Sequence, residues 1–227
     1  AFRGSQFKSL EGLESWQTSS LISMEEPFEG NYLLEDISAL RDWDVSNVNH
    51  MGYLFANDSS LTDISALENW NTKSLKYLFN AFSWTGIVNA DSLARRLVEK
   101  DGEEPYYSWD VSGLGALDSL FYGSKIQNVD GLKDWDVSNV QNFSYIFAYS
   151  ELSDASGLID WNTSNAEAMV KTFWHTKLQN LHCLENWDIS GLRDLNSTFR
   201  DSTLLEDISA LENWDASGLT NMQYTFD

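Results

Sequence analysis

The chain has 227 residues, 42% of them hydrophobic and 14% aromatic, which is ample for a packed core and argues against disorder. Its 35 acidic residues against 14 basic ones leave a net charge of −21, which argues against nucleic-acid binding and docking on anionic membranes and favours cationic partners. One cysteine, Cys183, excludes an internal disulfide and a multi-cysteine metal centre.

No apolar run approaches the roughly 18 residues that a membrane span needs, so no membrane insertion is expected. The opening AFRGSQF has neither an initiator Met nor a signal-peptide core. The chain therefore reads as a soluble, processed or excised piece.

Along the chain one phrase recurs, letter for letter as WDVSNV at Trp43–Val48 and Trp135–Val140. Aligned on its Trp, the anchors are Trp16, Trp43, Trp70, Trp109, Trp135, Trp161, Trp187 and Trp214, spaced by 27, 27, 39, 26, 26, 26 and 27 residues. Twelve residues after each anchor stands a Phe, from Phe28 to Phe226, in eight units of eight. A period of 26–27 residues is too short for tetratricopeptide or ankyrin units and lies in the leucine-rich-repeat range. Residues 1–227 are then a single domain of eight stacked coils, a rod or arc roughly 38 Å long.

Each unit opens with apolar residues nine, six and three positions before the Trp, as in Leu61, Ile64 and Leu67, and this half reads as extended chain. After the Trp, Val48, Met51 and Phe55 are offset by three and four, the spacing of one helical face. Ser46, Ser112, Ser138, Ser164, Ser190 and Ser217 stand where a hydroxyl could cap that helix.

This W-D-x-S-x-V/L-x-x-M/L-x-x-x-F phrase resembles the short repeat of BspA-like leucine-rich-repeat surface proteins. The likeness covers the chain except near residues 94–107. Lys73 replaces the capping Ser in unit three, Gln17 and Thr18 weaken unit one, and Ala166 departs in unit six. The resemblance implies an α/β, right-handed solenoid, with a parallel sheet on one face and short helices on the other. It also implies a secreted or cell-surface role in adhesion and interaction.

The 39-residue spacing carries about 13 extra residues near 94–107. DSLARRLVEKD, Asp91–Asp101, has an N-cap, an i,i+4 leucine pair and Gly102 to stop it, which predicts a short helix. Arg95, Arg96 and Lys100 make it a basic spot on an acidic body. It is either a tolerated insertion or a binding element, because insertions in repeat arrays often lie on the binding face. The chain stops at Asp227 one residue after its last Phe, which suggests a truncated or partner-covered end.

Stacking converts sequence offsets into surface rows. Residues flanking the Trp form two rows rich in Asp and Asn, which either hydrogen-bond turn backbone or hold calcium between coils. For the second reading the pairs Asp110/Asp136, Asp134/Asp160 and Asp188/Asp215 would stand about 5 Å apart, a repulsion of roughly 1 kcal/mol that a divalent cation relieves.

One and two positions after the Phe, units three to six carry Trp84, Tyr122, Tyr149 and Trp174, with His175 at the rim. These are either turn residues folded over the core edge or an aromatic strip of the sort that anchors protein or sugar. Cys183 occupies a column of small residues, including Gly12, Ala39, Gly157 and Ala210, which gives it and His182 a structural reading. No phosphate loop, zinc motif or hydrolase elbow appears, and no cofactor is expected.

Taken together, the sequence points to a non-enzymatic scaffold for protein–protein contact. The alternatives are an architectural subunit of a larger assembly and a carbohydrate-binding surface.

Overall fold

The computed structural model describes residues 2–227. Among these the regular elements are eight three-residue 3-10 turns and one two-stranded antiparallel hairpin; there is no α-helix. Regularity resides instead in contacts between successive units.

A continuous core runs from Leu10 to Ala210. Its centre is a row of Phe rings one unit apart, Phe28, Phe55, Phe82, Phe121, Phe147, Phe173 and Phe199, continued at its ends by the partly buried Phe2 and the exposed Phe226. Neighbours in this row stack at 5.3–6.2 Å with interplanar angles of 4–23°. Beside it, the Trp anchors are wired to one another's units. The indole Nε1–H of Trp43, Trp70, Trp109, Trp135, Trp161, Trp187 and Trp214 each donates to a leucine carbonyl of the preceding unit, at 2.7–3.2 Å. A buried indole N–H needs such an acceptor. The leucine three residues before the preceding Trp supplies it, except for Trp135, whose acceptor Leu93 is separated from Trp109 by the insertion.

The sequence expectation holds only in part: the half before the Trp is bridged in parallel to its neighbours at Ser9–Asp36, Asn89–Asn128, Asn128–Asp154 and Asn180–Asp207, but it also holds the recurring helical turns of the unit. The half before the Trp, expected to be extended, carries the helical turns Ser38–Leu40, Ser65–Leu67, Asp130–Leu132, Ser156–Leu158, His182–Leu184 and Ser209–Leu211. The half after it, expected to be helical, is an inter-unit ladder. The N–H groups of Met51, Tyr53, Phe55 and Asn57 donate to the carbonyls of Tyr77, Phe79, Ala81 and Ser83 at 2.8–3.0 Å. Parallel bridges link Ser23, His50 and Tyr77, and also Ala116, Asn142, Ala168, Asp194 and Asn221.

The reason lies in two left-handed corners per unit. Tyr53, Asn80, Ser119, Tyr145, Lys171, Ser197 and Tyr224 have φ between 54° and 60°, and four residues later Asn57, Trp84, Gly123, Tyr149, His175 and Asp201 have φ between 55° and 67°. A right-handed helix cannot continue through such residues. The chain bends instead and spends its N–H groups on the next unit.

The supposed caps are corrected in the same way. In each WD phrase the carboxylate, not the serine, is the acceptor. Asp44, Asp110, Asp136, Asp188 and Asp215 take the N–H of the residue two positions on at 2.9–3.1 Å.

The inserted segment is no helix. It opens with a single 3-10 turn at Asp91–Leu93, and Leu97–Val98 (β1) then pairs antiparallel with Tyr106–Tyr107 (β2). Beyond it the register resumes undisturbed: Trp109 bonds to Leu67 O across the insertion and Trp135 to Leu93 O.

Candidate functional site

The left-handed corners decide which side chains reach the ladder surface. In the central units they carry aromatic residues, and the strip expected from the sequence is one chain of touching rings. Trp84 meets Tyr122 at 5.3 Å and 82°, Tyr122 meets Tyr149 at 6.0 Å and 86°, and Tyr149 meets Trp174 at 4.3 Å and 65°. His175 lies 5.0 Å from Tyr149 at the rim. Trp84 is 45% exposed and Tyr149 37%, so both rings offer surface to a partner. Gly123 makes room for this: a Cβ there would fall 2.5 Å from Cδ2 of Trp84.

Sequence reasoning missed two members. Tyr145 stands 6.2 Å from Tyr122, and the Lys171 ammonium lies 5.4 Å from the Tyr145 ring centre and 4.3 Å from that of Trp174, a cation–π bridge. They belong to the first corner, ten residues after the Trp. The signal for that corner was the Asn80 and Tyr53 of the same column. A second cluster, His50 with Tyr77 at 5.0 Å and Phe79 with Tyr53 at 5.4 Å, continues the surface toward the N-terminal units. Trp174 Nε1 is held by Asp201 Oδ2 at 2.9 Å.

This surface is nearly free of charge on a body of −21. From seven to fourteen residues after the Trp, units two to six contain one carboxylate, Asp118, and one lysine, Lys171. Burial raises the Asp118 carboxyl above the usual range. Burial likewise raises the Tyr122 phenol, which keeps it a proton donor.

The basic residues of the insertion are not gathered into a site. Arg95 lies 3.7 Å over the Tyr107 ring, Arg96 pairs with Glu68 at 3.5 Å, and Lys100 lies 5.9 Å from the Tyr106 ring centre. Tyr106 Oη–H donates to Asn69 O at 2.7 Å and ties the hairpin across unit three. The cleft beneath, about 460 Å³, mixes Arg41, Lys73 and Lys100 with Asp44, Glu103 and Glu104.

For the acidic rows the structure provides backbone partners. Asp136 Oδ1 accepts the hydroxyl of Ser138 at 2.6 Å and its N–H at 3.1 Å, and these bonds hold its carboxyl below the usual range. Asp110 is bonded in the same way to Ser112. Asp188 and Asp215 each take the N–H of the serine two positions on. Asp134 and Asp160 are exposed. Among the described residues no group of three or more His, Cys, Asp or Glu side chains could hold a metal ion. Asn serves the same turn at Asn71 and Asn162 because the bond needs only an oxygen.

Cys183 is buried with its thiol pushed up to about 12 by desolvation, while the neighbouring His182 is exposed and 3.6 Å from Asp207. Among the described residues no helix is long and apolar enough to cross a membrane.

No curated protein matches the chain. A family described as "Mycoplasma protein of unknown function, DUF285" matches residues 1–100, 94–207 and 172–227. Three overlapping matches cover the whole length, as expected where one repeated unit recurs; the chain belongs to the DUF285 repeat family.

Proposed function

We propose that the chain is a non-enzymatic scaffold, a leucine-rich-repeat-like solenoid of the BspA-like kind, that binds a partner protein at a cell surface or outside the cell. The binding surface is the strip of Trp84, Tyr122, Tyr145, Tyr149 and Trp174.

One observation carries this reading. Trp84 and Tyr149 hold φ of 56° and 57° at a corner that every unit makes and that others fill with Gly30, Asn57, Gly123, His175 and Asp201. A bulky L-residue there costs roughly 1–2 kcal/mol. The corner itself belongs to the fold; what points to a partner is the choice of exposed aromatic rings to fill it, joined ring to ring with Tyr122 and Trp174. The chemistry agrees, because the core of a protein interface is enriched in Tyr and Trp and depleted of charge.

The test is a photo-crosslinking residue placed at Tyr149 and, as control, at the exposed Tyr32, followed by mass spectrometry from the native source. A partner protein joined through position 149 and not through 32 is the expected result. Equal or absent crosslinking at the two positions removes the proposal.

A further inference from the structure

The strip has a periodicity of its own. Trp84 and Tyr149 both stand two residues after their Phe and are two units apart; Tyr122 and Trp174 both stand one residue after theirs and are again two units apart. Ring positions thus alternate, and the surface repeats every second unit. With parallel neighbours about 4.8 Å apart, that repeat is about 9.6 Å.

Resting on the protein-binding reading above, we propose that the occupant is a proline-rich segment of the partner in polyproline-II form, lying along the direction in which the units stack. A polyproline-II helix rises about 3.1 Å per residue with three residues per turn, so one of its faces repeats at about 9.3 Å. Prolines three apart then meet equivalent ring positions, Trp84 with Tyr149 and Tyr122 with Trp174. A β-strand, whose face repeats at about 6.6 Å, falls out of step within one repeat.

Two further features fit this occupant. Such a helix has no internal hydrogen bonds and offers bare carbonyls. The hydroxyls of Tyr122, Tyr145 and Tyr149 and the indole N–H of Trp84 are donors that meet no acceptor among the described residues. An uncharged segment also suits a surface whose fixed charges in units two to six are Asp118 and Lys171, the nearby Asp201 carboxylate being engaged by the Trp174 indole. A flat sugar-stacking platform does not fit, because consecutive rings are crossed by 65–86° rather than coplanar.

The experiment is fluorescence anisotropy of the whole chain with labelled decapeptides carrying proline at every third position and uncharged residues between. Comparators are a Gly/Ser decapeptide, peptides with proline at every second or fourth position, and a neutral glucan hexasaccharide as competitor. Saturable binding specific to the third-position series is expected, weakened about tenfold or more by Trp174→Ala and by Tyr149→Ala and unchanged by Tyr32→Ala. No saturation at millimolar peptide, indifference to proline spacing, or binding of the hexasaccharide alone overturns the inference. A partner crosslinked through position 149 at a segment without prolines also overturns it, while leaving the protein-binding reading standing; loss of the crosslink itself removes that reading instead.

Discussion

Asp58 is fully buried, three residues past its Phe, in a column where other units carry Thr85, Ser124, Ser150, Thr176 and Ser202. Those hydroxyls largely serve a neighbouring carbonyl, Thr85 bonding to Phe82 O and Ser150 to Phe147 O. Asp58 Oδ1 accepts the Asn31 N–H at 2.6 Å, but Oδ2 has no partner, and burial drives its carboxyl up to about 8 despite that bond. A raised folded value means that the unfolded chain releases the proton first. Stability is therefore full below about pH 4 and declines as pH rises to about 8. Asp58→Asn keeps the acceptor and removes the ionisation. It is expected to leave stability little changed near pH 4 and to raise it by on the order of 5 kcal/mol at pH 8, read from urea unfolding at both pH values.

At the corner, Tyr149→Asn exchanges a strained aromatic for a residue that tolerates left-handed backbone. Relief of strain and loss of the Trp174 contact are each about 1 kcal/mol and opposed, so the melting point should hold while partner binding is lost. The sequence shows these residues as aromatic and clustered. It hides their conformation, because a Trp or Tyr carries no mark of positive φ; only Gly30, Gly123 and Asn57 in the same column betray it.

Among the elements, the Trp-to-leucine bond sets each unit against the last. Trp135→Phe removes the donor and leaves Leu93 O without it in the core, a loss of about 1–3 kcal/mol before any cavity is counted. Trp16→Phe should change stability far less, since the Trp16 indole is 49% exposed and makes no such bond among the described residues. Thermal unfolding of the two variants separates the bond from the ring.

The hairpin is expected to be dispensable for folding. Deleting residues 95–107 restores a 26-residue spacing between Trp70 and Trp109, and stability should shift by no more than about 1 kcal/mol, checked by the same unfolding measurement. Spacing alone misjudged both kinds of element. Offsets of three and four at Val48, Met51 and Phe55 suit a helix and equally suit a chain folded by two corners. In the insertion the leucine pair outweighed the Asp101–Gly102 turn signal and the Tyr106–Tyr107 pair that mark a hairpin.

For the whole molecule, two pH effects and the net charge act together. Asp36, Asp44, Asp63, Asp136, Asp188, Asp207 and Asp215 are held low by the serine two positions on, so their contribution is present above the ordinary carboxylate range and is lost as pH falls through their depressed values. Asp58 and the repulsion within a −21 body act the other way and weaken the fold toward alkaline pH. Melting temperature should therefore peak near the ordinary carboxylate range, fall as pH drops through the depressed values and decline from there toward pH 8. A maximum near neutrality would contradict this balance.

The period, the Trp and Phe columns and the interruption near residues 94–107 were legible at this scale, because identical side chains must recur wherever identical neighbours receive them. The wiring between units was not legible, and it has a direction. Each indole reaches back to a carbonyl that was synthesised before it, so a nascent chain leaving the ribosome can seat every new anchor on a surface already in place. Assembly in the opposite order would leave seven indole donors, six of them on buried Trp residues, waiting for acceptors not yet made.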